Sequence, residues 1–237
     1  MPTVTTTRVS VEVRDGHHQV RTRAGLLRAQ RLHGPVDRAR VALVGQTALL
    51  LGGDEVGLEI EVGPGATLEL SDIAGTVAYH GRGRAASWHT GIRLGLGARL
   101  SYAGAPFVLS DGSDVTRTLA VDLADGAAAR WRETLVFGRA GELGGRLDAT
   151  TVVRREGAEI CRERLLLDPV TRARPGVLAD VRVIDSVLVF GETPSTGAPA
   201  AGSGEPGPDG LVTYRLLEAG STLSRFLGTS LADSPLG

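Results

Sequence analysis

Carboxylate side chains are the residues of this sequence most suited to chemistry. The segment GGDE places Asp54 and Glu55 directly after two glycines, where a backbone can bend closely around a ligand. Glu133, Glu142 and Asp148 lie within the single stretch WRETLVFGRAGELGGRLD. Two of these groups could serve as the general acid and base of an enzyme, but they could equally cap strands or pair with neighbouring arginines. Their spacing alone does not decide between these roles.

The sequence lacks the common motifs of other kinds of catalysis. It contains neither a G-x-S-x-G nucleophile elbow nor a Walker A phosphate loop. Cys161 is the single cysteine, and its place in the alternating stretch AEICRERLLL is typical of a small core residue. The five histidines show no H-x-x-x-H spacing, and the adjacent His17 and His18 fit a turn between strands. We therefore expect no closed structural metal site and no permanently bound cofactor.

Composition narrows the classes of partner. The 26 basic and 27 acidic residues leave a formal net charge of −1, which argues against nucleic acid because phosphates need a basic face. The N-terminal segment alternates polar and apolar residues and lacks the apolar region of a signal peptide. No run of residues approaches the roughly 18 apolar positions that span a bilayer. These features predict a cytoplasmic protein that does not contact a membrane.

Alternation with period two predicts that β-strands position these residues. Apolar and polar residues alternate in six segments: VSVEVRD (9–15), VGLEIEV (56–62), TLEL (67–70), IRLGL (92–96), RTLAVDL (117–123) and DVRVIDSVLVF (180–190). Helical spacing of apolar residues is found in STLSRFLGTSL (221–231), where Ser221 is a suitable N-cap. A single helical turn is also predicted within 170–181. The expected fold is all-β, with one or two small helices near the C-terminus.

A Gly-Ala pair recurs at nearly equal intervals along these strands. Its glycines are Gly65, Gly97, Gly126 and Gly157, with spacings of 32, 29 and 31 residues. One strand–turn–strand unit cannot bury its apolar face alone, so this period predicts units that stack or wrap on one another. An antiparallel meander also has regular glycine turns, so a coiled β architecture and a β-sandwich both stay open at this point.

Three segments are predicted along the chain. Residues 1–192 form a β-rich body, and the Pro-, Gly- and Ser-rich residues 193–210 form a flexible surface insertion. Residues 211–237 provide a terminal strand and a short helix that pack on the body. This last segment is too short to hold a core of its own.

Several ordered motifs resemble the urease accessory protein UreD, also called UreH. They are LLGGDEVGLEIEVGPGATLEL (50–70), APF (105–107), TLAVDLADGAAARWRETLVFGRAGE (118–142) and ERLLL (163–167). The resemblance covers roughly residues 40 to 190. It implies a wound all-β body of coiled or helical topology, in agreement with the repeat.

The resemblance also implies a function. UreD-like proteins are non-enzymatic chaperones that bind urease apoprotein together with UreF and the GTPase UreG, and they assist delivery of Ni²⁺ through an internal passage. Nickel is then cargo and not a resident cofactor. A passage should offer few oxygen ligands at any depth, because a complete set would trap the ion. On this basis Asp54, Glu133 and Glu142 are the candidate conduit residues, with Asp72 as a further acidic group.

The sequence departs from the family pattern in two places, and an alternative function is also open. SDIAGTVAYHG (71–81) lacks the usual Gln and Lys, and the C-terminus is shorter, which predicts a reduced contact with UreF. The alternative is a cytoplasmic β-helix or β-sandwich enzyme that acts on a polar polymer, with Glu133 and Glu142 as acid and base. The chaperone predicts an acidic internal passage, whereas the enzyme predicts an exposed groove with aromatic platforms.

Overall fold

The computed structural model describes most of the chain: residues 5–174, 177–191, 210–216 and 220–236. The insertion predicted at 193–210 lies outside these residues, apart from Gly210. Strands form nearly all of the regular structure described, which confirms the all-β prediction. No helix in the described ranges is long and apolar enough to cross a membrane.

The first sheet has seven strands. Their order across the sheet is β14 (Ala158–Leu167), β13 (Arg146–Arg155), β11 (Asp114–Leu123), β8 (Ala86–Leu94), β5 (Glu55–Val62), β1 (Thr5–Arg14) and β2 (His17–Arg23). The five inner strands run parallel, and β2 and β14 run antiparallel to their neighbours at the two ends. Each end of the sheet is therefore a hairpin.

The second sheet has ten strands. Eight follow the order β16 (Gly210–Leu216), β17 (Thr222–Gly228), β15 (Val183–Phe190), β12 (Ala128–Phe137), β9 (Arg99–Ala103), β6 (Thr67–Asp72), β4 (Ala39–Gly45) and β3 (Leu27–Leu32). Two short strands, β7 (Thr76–Ala78) and β10 (Phe107–Leu109), pair with each other, and β10 also pairs with β12. The chain passes from the first sheet to the second at β5–β6, β8–β9 and β11–β12, so it winds as a coil between two facing sheets.

Glycine makes the tight corners of this coil. Gly65, Gly97 and Gly126 have φ angles of 65°, 62° and 64°, in the left-handed region that favours glycine. The corners hydrogen-bond to one another, with Gly65 N–H to the Leu96 carbonyl at 2.9 Å and Gly97 N–H to the Asp125 carbonyl at 3.0 Å. The alanine after each glycine is buried against the neighbouring corner, so a larger side chain would separate the layers.

The fourth glycine of the repeat makes a different turn. Gly157 has a φ of 80° and follows Glu156 with a φ of 48°, and together they close the β13–β14 hairpin within the first sheet. Two successive residues with positive φ are typical of the hairpin turn that matches strand twist. Here the following Ala158 is exposed. Of the four glycines in the repeat, three thus make corners between the sheets and the fourth makes a terminal hairpin.

The helix predicted over 221–231 is wrong. Residues Thr222–Gly228 form β17, and the 3₁₀ turn Leu231–Asp233 follows. Leu223 packs between the sheets, whereas Phe226, 2% exposed, packs on the outer face of the second sheet. Because both faces of this strand are covered, its apolar residues do not alternate and their spacing imitates a helix.

The helical turn predicted within 170–181 is confirmed, with its start one residue earlier. Helix α1 spans Pro169–Arg172. The Asp168 carboxylate caps it by accepting hydrogen bonds from the N–H groups of Val170 and Thr171, each at 2.9 Å. The buried Arg172 lies over the Phe137 ring and donates to the Leu143 carbonyl, so α1 is fixed to the last layer of the coil.

The C-terminal segment covers part of the outer face of the second sheet. Leu236 packs against Val183, Val187 and Phe226. Beneath this segment the fully buried Asp185 accepts hydrogen bonds from Arg132 and Thr134 on β12 and from the Ser234 hydroxyl at 2.6 Å. The end of the described chain is thereby held on the sheet.

Candidate functional site

Several charged and polar side chains point into the space between the two sheets, at inward-facing strand positions where the alternating pattern predicts apolar residues. We call this set the interior polar row: Asp72, Tyr102, Arg117, Glu133, Glu163, Ser186 and Arg225. On β12, for example, Glu133 falls in the inward series with Trp131 and Leu135. Cross-strand pairing places Glu133 opposite Ser186, and Ser186 opposite Arg225, so the row runs across the strands.

Two ion pairs of the interior polar row join the sheets. Arg117 of the first sheet contacts Glu133 of the second, with Nη2 and Oε1 2.6 Å apart. In the opposite sense, Glu163 of the first sheet accepts two hydrogen bonds of 2.8 Å from Arg225 of the second. The side chains of these pairs are 14–25% exposed, so solvent reaches the space between the sheets at this level.

Asp72 lies deeper in the row. It accepts a 2.6 Å hydrogen bond from the Tyr102 hydroxyl and a longer one from the Ala105 N–H. Burial raises the pKa of Asp72 above its usual value, although the hydrogen bonds and Arg117 oppose this effect. Burial, followed by the nearby Asp72, also raises the pKa of Tyr102 well above 10.0.

Aromatic rings line the same space. The Arg117 guanidinium lies 4.2 Å from the centre of the Phe107 ring, and Trp88 packs edge-on against that ring. Tyr102 and Trp131 stack with ring centres 3.9 Å apart. Within the described chain, Nη1 of Arg117 and the indole nitrogen of Trp131 are buried without a hydrogen-bond partner.

The structure does not bring Asp54, Glu133 and Glu142 together. Glu133 belongs to the interior polar row, whereas Asp54 and Glu142 lie in loops that lead into β5 and β13 of the first sheet. Those strands are three neighbours apart, or about 14 Å at the usual strand spacing. Among the described residues no three His, Cys, Asp or Glu side chains converge on a position suited to a metal ion.

The loop of Asp54 explains the Gly-Gly-Asp motif. A Cβ atom at Gly52 would meet the Gly81 carbonyl oxygen, which is a backbone atom, so Gly52 must be glycine for the loops to stack; one at Gly53 would meet the end of the flexible Arg84 side chain, so there the backbone angle favours glycine. Gly53 has a φ of 93°. The Asp54 carboxylate accepts a 3.0 Å hydrogen bond from the Leu51 N–H and closes its own turn.

Glu142 is held by its own loop. Its carboxylate accepts hydrogen bonds from the Arg139 guanidinium at 2.7 and 3.0 Å, from the Arg139 N–H at 2.9 Å, and from the Asp111 N–H at 3.4 Å. Those bonds from Arg139 lower the pKa of Glu142 to about 2. Glu142 therefore stays ionised above that pH and cannot be the proton donor of the acid/base pair that the alternative enzyme would need.

Titration should show the effect of Arg139 on Glu142 directly. Because the pKa in the folded protein is about 2, below its ordinary value of 4.5, this group stabilises the fold above pH 4.5, and that contribution is lost as the pH falls towards 2. We expect the NMR signal of the Glu142 carboxyl carbon to titrate near pH 2. In Arg139→Gln the midpoint should rise towards 4.5, and a midpoint near 4.5 in the unaltered protein would contradict the geometry.

Sequence reasoning overlooked Arg117, Arg225 and Glu163. A signal was present, because each of them interrupts the apolar series of its strand: Arg117 falls in the inward series with Val115 and Leu119. A charge at such a position must find a partner across the core or contact water there. His18 needs no functional role, since its ring bonds the Thr67 N–H at 3.0 Å and lies 3.2 Å from the Val36 carbonyl.

The sequence of this chain matches one family of known proteins over nearly its whole length. Residues 5–233 match the family model described as UreD urease accessory protein. The class is that of proteins that assist urease, as distinct from urease itself. This chain belongs to the UreD family.

Similar relatives carry the same description. The chain is 46% identical over 159 residues to urease accessory protein UreD 1 of Streptomyces griseus subsp. griseus, covering 67% of this chain and 62% of that protein. It is 39% identical over 167 residues to UreD 1 of Saccharopolyspora erythraea, covering 69% and 65% respectively. It is 34% identical over 221 residues to UreD of Streptomyces coelicolor, covering 88% and 87%. The chain thus spans less than two thirds of the first two relatives.

Proposed function

We propose that this protein is a urease maturation chaperone that binds urease apoprotein together with UreF and UreG in the cytoplasm and assists delivery of nickel. The observation that carries the proposal is the family match, which extends over residues 5–233 and so includes the strands of both sheets. The proposed role is one of contact and transfer, and nickel is its cargo.

The separation of the carboxylates supports transfer of a cation, with each of them held by its own partner in the observed arrangement. Glu133 lies between the sheets, where solvent reaches it, and pairs with Arg117, whereas Asp54 and Glu142 lie on loops and accept hydrogen bonds there. Single oxygen ligands spaced along a path bind a divalent cation weakly enough to release it. A closed set of ligands would hold the ion in the chaperone.

A maturation assay tests this role with purified urease apoprotein, UreF, UreG, GTP and Ni²⁺. We expect Glu133→Gln to lower the nickel content of the product urease severalfold, because it removes the charge while keeping an oxygen acceptor for Arg117. The double variant Asp54→Ala/Glu142→Ala should also lower it.

Glu61→Gln is the matched control, since Glu61 is an exposed carboxylate that pairs with Arg93 on the outer face of the first sheet. Its nickel content should equal that of the unaltered protein. Unchanged nickel content in Glu133→Gln and the double variant would remove these residues from the conduit. Urease that acquires nickel equally well without the protein would contradict the chaperone role itself.

A further inference from the structure

The two arginines of the interior polar row are held unequally. Arg225 makes a two-point contact with Glu163 and donates a third hydrogen bond of 2.9 Å to Ser186. Arg117 contacts Glu133 through Nη2 alone, and its buried Nη1 has no hydrogen-bond partner among the described residues. Its guanidinium rests on the face of Phe107. A planar guanidinium is most firmly held by a two-point contact, so Arg117 is bound to its carboxylate by fewer contacts than Arg225.

Arg117 also lies within the field of a second carboxylate. The charge of Arg117 lowers the pKa of Asp72 against the effect of burial, so the two groups interact across the space between the sheets. Rotation of the Arg117 side chain would break its one contact with Glu133. Glu133 would then carry a free charge in a space that solvent reaches.

In the arrangement observed, the interior polar row does not favour a cation. Glu133 and Glu163 each bind a guanidinium, and Asp72 accepts its short hydrogen bond from Tyr102. A divalent cation in the row would therefore find each of these three carboxylates already occupied by a partner. Repulsion between like charges is strong in a partly buried space, where water screens it poorly.

We propose that Arg117 is the gate of the passage: its contact with Glu133 denies that carboxylate to a divalent cation, and passage requires the guanidinium to leave. This inference rests on the proposed function, in which a cation is cargo. The residues proposed to line the path bind the cation, and Arg117 is a further residue that controls its entry. Removal of the guanidinium should open the row to Ni²⁺ even when no partner protein is present.

Equilibrium dialysis of the purified full chain against NiCl₂ tests the gate. We expect Arg117→Gln to bind one Ni²⁺ per chain at least tenfold more tightly than the unaltered protein. The double variant Arg117→Gln/Glu133→Gln should lose this gain, because Glu133 supplies the ligand. Arg93→Gln is the matched control: it removes a positive charge beside Glu61 and Glu59 on the outer face and should bind no additional nickel.

A second variant and a second signal keep the test decisive. Arg117→Met retains the apolar packing on Phe107 and should show the same gain. Both tryptophans of the sequence lie beside the row, since Trp88 contacts Arg117 and Trp131 stacks on Tyr102, so quenching of their fluorescence by Ni²⁺ reports entry. In the unaltered protein Arg117 is in place, so Ni²⁺ should quench this fluorescence only weakly, and quenching should be stronger in Arg117→Gln.

The gate is contradicted if folded Arg117→Gln or Arg117→Met binds no more Ni²⁺ than the unaltered protein. Should neither variant fold, strong quenching of the unaltered protein that is lost in Glu133→Gln contradicts it, because Ni²⁺ would then reach Glu133 with Arg117 in place. Both results leave the chaperone role intact, because that role depends on the nickel content of urease in the maturation assay. The maturation assay therefore tests the chaperone role, the dialysis tests the gate, and failure of one can be told from failure of the other.

Discussion

Asp185→Ala is expected to lower the free energy of unfolding by about 3–5 kcal/mol, because it removes the partner of a largely buried charge. Asp185 is fully buried, and Arg132, its partner, is 22% exposed. The substitution also leaves the Thr134 and Ser234 hydroxyls without their acceptor. Urea unfolding followed by circular dichroism measures the change.

The matched control is Asp122→Ala, which breaks an exposed contact of 3.9 Å with Arg154. That change should cost about 0–1 kcal/mol. Burial acts to raise the pKa of Asp185, but hydrogen bonds from Arg132, Ser234 and Thr134 outweigh it and lower the pKa below 3.8. Asp185 thus stabilises the fold above that pH, and its contribution is lost on further acidification. Equal losses of stability in both variants would show that the cluster does not hold the C-terminal segment.

Gly52→Ala is expected to destabilise the protein by about 1–3 kcal/mol, at the upper end of that range. The new Cβ would lie 2.9 Å from the carbonyl carbon and 3.0 Å from the Cα of Gly81, as well as against the Gly81 oxygen. These are backbone atoms, so the two loops must separate for the methyl group to fit. Thermal unfolding measures the loss.

Gly45→Ala is the control for the general cost of adding a methyl group at a glycine. Its nearest neighbour would be a flexible leucine side chain, Leu49, at 3.2 Å. Stability should change by less than about 0.5 kcal/mol. If Gly52→Ala were as mild as this control, close stacking of the loops would not be the reason for the Gly-Gly-Asp motif.

Much of the fold could be predicted because its strands obey local rules. The six alternating segments overlap strands β1, β5, β6, β8, β11 and β15, and the glycine period predicted corners whose positive φ angles the structure contains at Gly65, Gly97 and Gly126. Pattern alone did not separate a coil from a sandwich, since that distinction depends on which sheet each strand joins after its turn. The turn at Gly157 looks the same in sequence, yet it returns the chain to the same sheet.

The errors arise where tertiary contacts replace local rules. Phe226 is apolar on the outward side of β17 because the C-terminal segment covers that face, and no local pattern records this cover. For the site, the acidic residue types indicated Glu133, but its partner was not evident. Arg117 is 16 residues away in sequence and reaches Glu133 only because two sheets face each other. A charge inside an apolar series was the available clue.

The reversed strands at the two ends of the first sheet bear on how the molecule behaves at high concentration. A parallel coil offers at each end an open backbone to which another copy could add, which would lead to filaments. Here the end strands β2 and β14 run against the stack and carry exposed arginines such as Arg21 and Arg162. Charged side chains on an edge strand disfavour its pairing with another chain, so these residues make the two ends of the first sheet less suited to the addition of a further copy.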